Sequence, residues 1–206
     1  MCGSCIRFGM SLNTRENAAW RNSRVAEVTI YWYGPKRPSS RQCLVRCAAL
    51  FNGESPEGAE ASWPVEREER GKPFFPNHPQ VHCSVTHSGD YWLGAFCTQQ
   101  VGIDLQIHKS GRLAALSHRF FHPEEDRYLQ RAGFADFYRV WAAKESFVKF
   151  SGEGIGGNFG RFSVVGQQGL LPEVDGLQLR FVPFRCDYTL CVCAREISSV
   201  LLLPGK

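Results

Sequence analysis

The feature that most constrains the fold of this chain is the segment from Phe134 to Phe150, in which charged residues lie among aromatic and aliphatic ones. Its apolar spacing predicts one long helix that ends at the glycine-rich stretch 151–157. Trp141, Glu145 and Lys149 are spaced four residues apart and therefore share one helix face. Because such an apolar helix is largely buried, its charges need partners. A metal ion for Glu145 and phosphates for the lysines would supply them, whereas an exposed Glu–Lys pair is the simpler alternative.

A second polar pattern lies in the predicted strand Val101–Gln106. Side chains alternate along a strand, so Asp104 and Gln106 point to one side while Ile103 and Leu105 face the core. An acid beside an amide offers the oxygen ligands that Mg²⁺ prefers. Taken alone, an aspartate at a strand end is as well explained by a turn or a cap.

A third pattern is Thr-His-Ser-Gly at residues 86–89, which is expected at the tip of a hairpin. Hydroxyls, an imidazole and turn amides there would suit a phosphate, although a plain turn is the better explanation of this segment taken alone. Upstream, Gly-Lys-Pro at residues 71–73 adds the cation of Lys72 and a fixed bend, without specificity of its own.

The order of elements along the chain predicts an α+β protein. Its seam is expected near residue 100, between an N-terminal half, residues 1–100, and a C-terminal half, residues 101–206. Residues 52–70, rich in Gly, Pro and Glu, are expected to form an exposed connection. The predicted helices span 40–51, 113–121, a segment from 123 and 134–150; the predicted strands span 25–33, 81–86, 91–97, 101–106, 161–166, 177–183, 188–194 and 197–203.

Composition excludes several classes of protein. No run of eighteen or more apolar residues occurs, which argues against a membrane span, and the first residues lack the pattern of a secretory signal. The nine cysteines do not follow a disulfide or zinc framework, since Cys2 and Cys5 form a lone C-x-x-C, so reduced cytoplasmic thiols are expected. A net charge of +4 is too small to indicate a nucleic-acid module.

Together, these motifs resemble the Sfp-type 4′-phosphopantetheinyl transferases. The likeness rests on G-K-P, T-H-S-G, G-I-D and W-x-x-K-E-S-x-x-K in that order, with R-F-F-H-P-E-E before the last, over roughly residues 69–203. The resemblance implies a pseudo-symmetric, two-halved α+β fold in which each half is a small antiparallel sheet packed with helices. In the position of Gln106 the family often carries Glu.

The resemblance also implies a role for individual residues. Asp104, Glu145 and Lys149 are expected to be the catalytic residues, with Glu145, or a metal-bound water that it governs, as the base. The expected metal ligands are Asp104, Gln106 and Glu145. The residues expected to bind coenzyme A are Arg41, Lys72, Thr86, His87, Lys144 and Lys149.

The activity implied is Mg²⁺-dependent transfer of the 4′-phosphopantetheine group of coenzyme A to a serine of an acyl, peptidyl or aryl carrier protein, with release of 3′,5′-ADP. The alternative is a non-catalytic coenzyme A or nucleotide binder of the same fold. The basic residues Arg112, His118 and Arg119 are expected to meet an acidic carrier helix, with a solvated basic face as the alternative. Fatty-acid, polyketide and nonribosomal-peptide carriers all stay open. The two fused halves favour a monomer, and the cysteine pattern favours the cytoplasm.

Overall fold

The structure is a computed structural model that describes residues 26–152 and 159–205. The expectations for Val25, for Cys2 and Cys5, and for most of the glycine-rich stretch after Gly152 lie outside these residues. The helices are α1 (Ser40–Phe51), α2 (Ala59–Ser62), α3 (Leu113–Phe120), α4 (Pro123–Arg131) and α5 (Phe137–Ser151). The strands are β1 (Ala26–Tyr33), β2 (Glu66–Arg67), β3 (Pro73–Phe74), β4 (His82–Ser88), β5 (Tyr91–Cys97), β6 (Gly102–Ile107), β7 (Val165–Gly166), β8 (Gly169–Leu170), β9 (Glu173–Val174), β10 (Leu177–Val182), β11 (Tyr188–Ala194) and β12 (Ile197–Pro204).

Two four-stranded sheets form the centre of the fold, in the orders β12-β1-β5-β4 and β6-β11-β10-β9. Their facing sides share one apolar core, to which Ile30, Leu93, Ile103, Leu105 and Val192 contribute. The far side of the first sheet packs against α1, and the far side of the second packs against the helices α3 to α5. The result is a layered α+β protein in which each sheet is covered on both sides.

Local sequence signals account for several element boundaries. Helix α1 begins where Ser39 and Gln42 form a capping box, and its bounds are those expected from the sequence. Helix α4 begins at Pro123, and its first turn is acidic, as the helix dipole favours. Helix α5 begins three residues later than expected, because Phe134 has a φ of 61°, a left-handed conformation that a helix does not accommodate.

The last strand departs from the expected plan. Strand β12 leaves the C-terminal half and pairs in parallel with β1, so the first sheet is mixed rather than purely antiparallel. Ile197 is buried, whereas the other apolar residues of β12 are partly buried or exposed, because this strand lies at the edge of the sheet beside β1. The expectation of one antiparallel sheet in each half is therefore corrected for the first sheet, while the α+β class is confirmed.

The connection 52–70 is mostly exposed, as expected, but it is not without structure. It contains the single turn α2 and strand β2, and Trp63 within it is fully buried against Phe75. His78 stacks on the same indole ring, with ring centres 3.6 Å apart. The lone tryptophan among polar residues was the signal that this segment returns to the core.

Among the described residues, no helix combines the length and the apolar character that a membrane crossing requires.

Candidate active site

The site is built where the edge strand β6 lies directly on helix α5. A Cβ atom at Gly102 would come within 1.9 Å of the backbone oxygen of Ser146 and 2.6 Å of the backbone nitrogen of Phe150. Only glycine allows this approach, which accounts for the first residue of the G-I-D motif. The close contact brings the side of β6 that carries Asp104 against the polar face of α5.

Asp104 lies at the centre of a hydrogen-bond network and is 2% exposed. One carboxylate oxygen accepts from Lys149 Nζ at 2.7 Å and from Thr86 Oγ1 at 3.1 Å, while the other accepts from Gln106 Nε2 at 2.7 Å. Asp104 and Gln106 therefore point to the same side, and Ile103 and Leu105 are fully buried on the other, as strand alternation predicts.

Glu145 approaches this network from α5 and is 5% exposed. Burial, together with the neighbouring charge of Asp104, raises the pKa of its carboxyl to about 7, although Lys149 and a hydrogen bond from Trp141 act in the opposite direction. Its Oε2 atom is buried and has no hydrogen-bond partner among the described residues. A buried carboxylate oxygen without a partner is costly and is well suited to receive a cation.

The donors at this place fit a hard divalent cation. Two carboxylates and one amide supply oxygen atoms, and Mg²⁺ binds few protein ligands while it keeps water or phosphate oxygens. Within residues 26–152 and 159–205 no group of three or more His, Cys, Asp and Glu side chains has the arrangement of a metal centre. The protein would thus supply two charged ligands, Asp104 and Glu145, rather than three. Gln106 would add a neutral oxygen after rotation of its amide.

Lys144 does not take the role expected for it. Its side chain is fully buried, and its ammonium donates to the carboxylate of Glu125 and to the backbone oxygen of Phe162 at 2.7 Å. With its donors committed to these groups inside the core, the ammonium is not available to a phosphate. The expectation that Lys144 binds coenzyme A is corrected to a structural role, in which the lysine pairs with Glu125 inside the core.

Glu125 is the residue that sequence reasoning missed. It is fully buried, and besides Lys144 it receives the backbone N–H groups of His122 and Val164. It stands in the R-F-F-H-P-E-E segment, but an acid in the first turn of a helix usually serves as a cap at the surface. The structure shows instead that Glu125 pairs with a buried lysine and thereby links α4 to α5.

Lys72 makes hydrogen bonds within the protein. Its ammonium donates to the side chain of Gln100 at 2.9 Å and to the backbone oxygens of Val101, Lys149 and Phe150, at 3.3, 3.0 and 2.8 Å. The cation thus links the last carbonyls of α5 to the start of β6. At the C-terminal end of α5 it also interacts favourably with the helix dipole. The contact of this ammonium with the nucleotide, which the resemblance implies, stays a prediction.

Of the remaining residues expected to bind coenzyme A, one is buried at the site and two are exposed. Thr86 is buried beside Asp104, whereas His87, the next residue of β4, is exposed on the opposite side of that strand. The turn of the hairpin is limited to Gly89 and Asp90, since Ser88 still pairs with Tyr91. Arg41 is exposed in the first turn of α1. The roles expected for His87 and Arg41 at the phosphates stay predictions.

Part of the chain that carries this site is similar to known proteins. Residues 100–193, just under half of the chain, match the 4′-phosphopantetheinyl transferase superfamily. Over 127 residues the chain is 37% identical to a 4′-phosphopantetheinyl transferase of Bacillus subtilis. This alignment covers 59% of this chain and 54% of that relative. Over 101 residues it is 36% identical to the transferase Sfp of Bacillus subtilis strain 168, with 47% and 45% covered.

A more distant relative is the L-aminoadipate-semialdehyde dehydrogenase-phosphopantetheinyl transferase of Pongo abelii, which is 32% identical over 110 residues, with 45% of this chain and 35% of the relative covered. The chain thus aligns with about half, or less, of the length of the curated relatives that it matches. The matched part contains the strand and the helix on which Asp104, Glu145 and Lys149 stand. Over this part, the chain matches the 4′-phosphopantetheinyl transferase superfamily and is similar to its Sfp-type members.

Proposed function

We propose that the chain transfers the 4′-phosphopantetheine group of coenzyme A to a serine of a carrier protein. The serine oxygen bonds to the β-phosphorus of coenzyme A, and the bond from that phosphorus to the bridging oxygen breaks. The leaving group is 3′,5′-ADP, and the serine proton passes to a base. The names of the relatives, which are phosphopantetheinyl transferases, favour this reaction over other chemistry on the same fold.

The observation that carries the proposal is the meeting of Asp104, Glu145 and Lys149 in the family-matched segment. Transfer of a phosphoryl-type group needs alignment and neutralisation of charge more than covalent help. When bound, Mg²⁺ would neutralise charge on the pyrophosphate oxygens. Lys149, which is 29% exposed, can turn from Asp104 toward the leaving phosphate once that carboxylate has another cation.

Glu145 is the residue best suited to hold the serine proton. In the metal-free protein, burial and Asp104 raise its pKa to about 7, within the range in which a carboxyl can act as a general base near neutral pH. Trp141 holds the carboxyl by a hydrogen bond, and Lys149 limits the rise of its pKa. Since the unpartnered Oε2 would hold the cation, the other oxygen of this carboxylate is the atom that would receive the proton.

The direct test is to incubate the protein with coenzyme A, Mg²⁺ and a panel of apo-carrier proteins of fatty-acid, polyketide and nonribosomal-peptide synthesis. Mass spectrometry should show the gain of one phosphopantetheine group on at least one carrier, with one 3′,5′-ADP released for each. Coenzyme A binding without release of 3′,5′-ADP on any carrier would instead establish the non-catalytic binder.

The amide at position 106 leads to a prediction about the metal requirement. Gln106→Glu places a third carboxylate beside Asp104, so we expect a lower Mg²⁺ concentration for the half-maximal rate. The measurement is a Mg²⁺ titration of the initial rate at saturating coenzyme A. If the midpoint stays the same or rises, Gln106 is not a ligand.

The acceptor is expected to dock on α3, where Arg112, His118 and Arg119 are exposed. Basic residues at a rim favour an acidic partner and act mainly on association. We therefore expect high salt to raise the apparent KM for the carrier much more than that for coenzyme A. Equal effects on both constants would place the carrier elsewhere.

We also propose that the protein is a cytoplasmic monomer. The free thiols of all seven described cysteines fit a reducing compartment. Sedimentation of the purified protein at its assay concentration tests the oligomeric state.

A further inference from the structure

Three hydroxyl side chains on β4 join the two sheets next to the site. Strand β6 is an edge strand of the second sheet, and the N–H groups of Ile103, Leu105 and Ile107 point away from that sheet. They donate to Ser84 Oγ at 3.2 Å, Thr86 Oγ1 at 3.2 Å and Ser88 Oγ at 3.0 Å. We name Ser84, Thr86 and Ser88 the hydroxyl ladder; it satisfies an edge that would otherwise present unpaired donors.

The middle member of the hydroxyl ladder does more than its neighbours. Among the described residues, Asp104 accepts from Thr86, Gln106 and Lys149, and from neither Ser84 nor Ser88. A hydroxyl has one proton to donate, and at Thr86 the N–H of Leu105 occupies an acceptor position. The proton of Thr86 is therefore directed to Asp104.

From this geometry we infer that Thr86 is a positioning residue, which holds the Asp104 carboxylate in the orientation that receives the metal ion. The inference rests on the proposed function in one respect, namely that Asp104 is a ligand. A phosphate oxygen accepts hydrogen bonds, so Thr86 cannot donate to it without giving up Asp104. The residue expected to bind coenzyme A thus acts on the metal carboxylate instead.

The hydroxyl of Thr86 makes two hydrogen bonds, to Asp104 and to the N–H of Leu105, and these suit it to position the carboxylate. Thr86 is 4% exposed, and its hydroxyl is fixed by the backbone of the same strand that carries Asp104. The carboxylate is thereby oriented before any ligand arrives, while Lys149 and Gln106, its other partners, are more exposed and remain able to move. Preorganisation of this kind favours ion binding because less freedom is lost on binding.

The test compares Thr86→Val with Ser84→Ala. Each variant removes one acceptor of the hydroxyl ladder, but only Thr86→Val removes a donor to Asp104. Calorimetry with saturating coenzyme A and no carrier protein measures the Mg²⁺ dissociation constant. We expect a rise of about tenfold or more for Thr86→Val, the usual effect of losing a hydrogen bond to a charged group. Ser84→Ala should leave it unchanged, and Thr86→Ser should restore the value of the unchanged protein.

A second titration, of coenzyme A with a chelator present, separates positioning from phosphate binding. Thr86→Val should leave that affinity unchanged, and in transfer assays at subsaturating Mg²⁺ it should lower kcat without raising the KM for coenzyme A. If Thr86→Val does not fold, Thr86→Cys replaces it, because a thiol is a weak donor. Weaker coenzyme A binding without metal, an equal loss in Ser84→Ala, or no Mg²⁺ binding by the unchanged protein would overturn the inference. Neither titration contains a carrier, so the result does not depend on transfer.

Discussion

Replacing Glu145 with glutamine is expected to lower kcat/KM for transfer by about a thousandfold, the scale of losing a general base. Glutamine has nearly the same shape, but it cannot accept the serine proton and it has no charge for a cation. Transfer is measured as the mass gain of a carrier protein over time. Glu124→Gln is the matched control, since it removes the same charge from a side chain that is 59% exposed. A rate near that of the unchanged protein for Glu145→Gln would refute the role of this carboxyl.

The same substitution has an effect on stability that is independent of transfer. Because the pKa of Glu145 is raised to about 7, the folded protein binds its proton more tightly than the unfolded chain does. In metal-free buffer this group contributes stability at low pH, and the contribution is lost as the pH rises through about 7. The glutamine of Glu145→Gln does not titrate. As the pH rises through about 7, the free energy of unfolding of this variant should therefore increase relative to that of the unchanged protein. Denaturation in urea at several pH values measures the difference.

The second large effect is expected at Lys144. Lys144→Met removes the only cation paired with Glu125 among the described residues and leaves a carboxylate buried in the core. Breaking a buried ion pair on one side costs about 3–5 kcal/mol of unfolding free energy. We therefore expect a large loss of stability and, because α5 carries Glu145, a loss of transfer. Burial raises the pKa of Glu125, so the loss should be smaller at low pH, where this carboxyl can take up a proton.

The double variant Lys144→Met/Glu125→Gln separates the pair from the individual residues. It leaves no charge at the place of this ion pair, and the glutamine oxygen can still accept a backbone N–H. We expect the double variant to be more stable than Lys144→Met alone. Lys36→Met, at an exposed position, is the control for the change of side chain. If the double variant is as unstable as the single one, the cost does not come from the unpaired carboxylate.

Local patterns predicted much of the fold and part of the site. The bounds of α1 follow from the capping residue Ser39, and the common side of Asp104 and Gln106 follows from strand alternation. The burial of α5 follows from the aromatic residues around its charges. These features depend on neighbours a few residues away, which the sequence presents directly.

Partners that are distant in the sequence were not predictable in this way. Lys144 meets Glu125 from another helix, and Lys72 reaches carbonyls that lie 77 and 78 residues further along the chain. The motifs predict that each lysine binds coenzyme A, because contact with a phosphate is the simplest interpretation of a cation near a phosphate site. Which acceptor it meets is decided by the packing of α5 on β6, through the glycine at position 102.

The parallel pairing of β12 with β1 has a consequence for synthesis of the protein. Strand β1 ends at Tyr33, yet its neighbour on one side begins only at Ile197, and Ser198 donates to the backbone oxygen of Ala26. During synthesis on the ribosome, this side of β1 stays unpaired until the residues of β12 have emerged, more than 160 residues after β1. Contacts of such long range form slowly, so nascent chains stalled before this strand should be prone to aggregation.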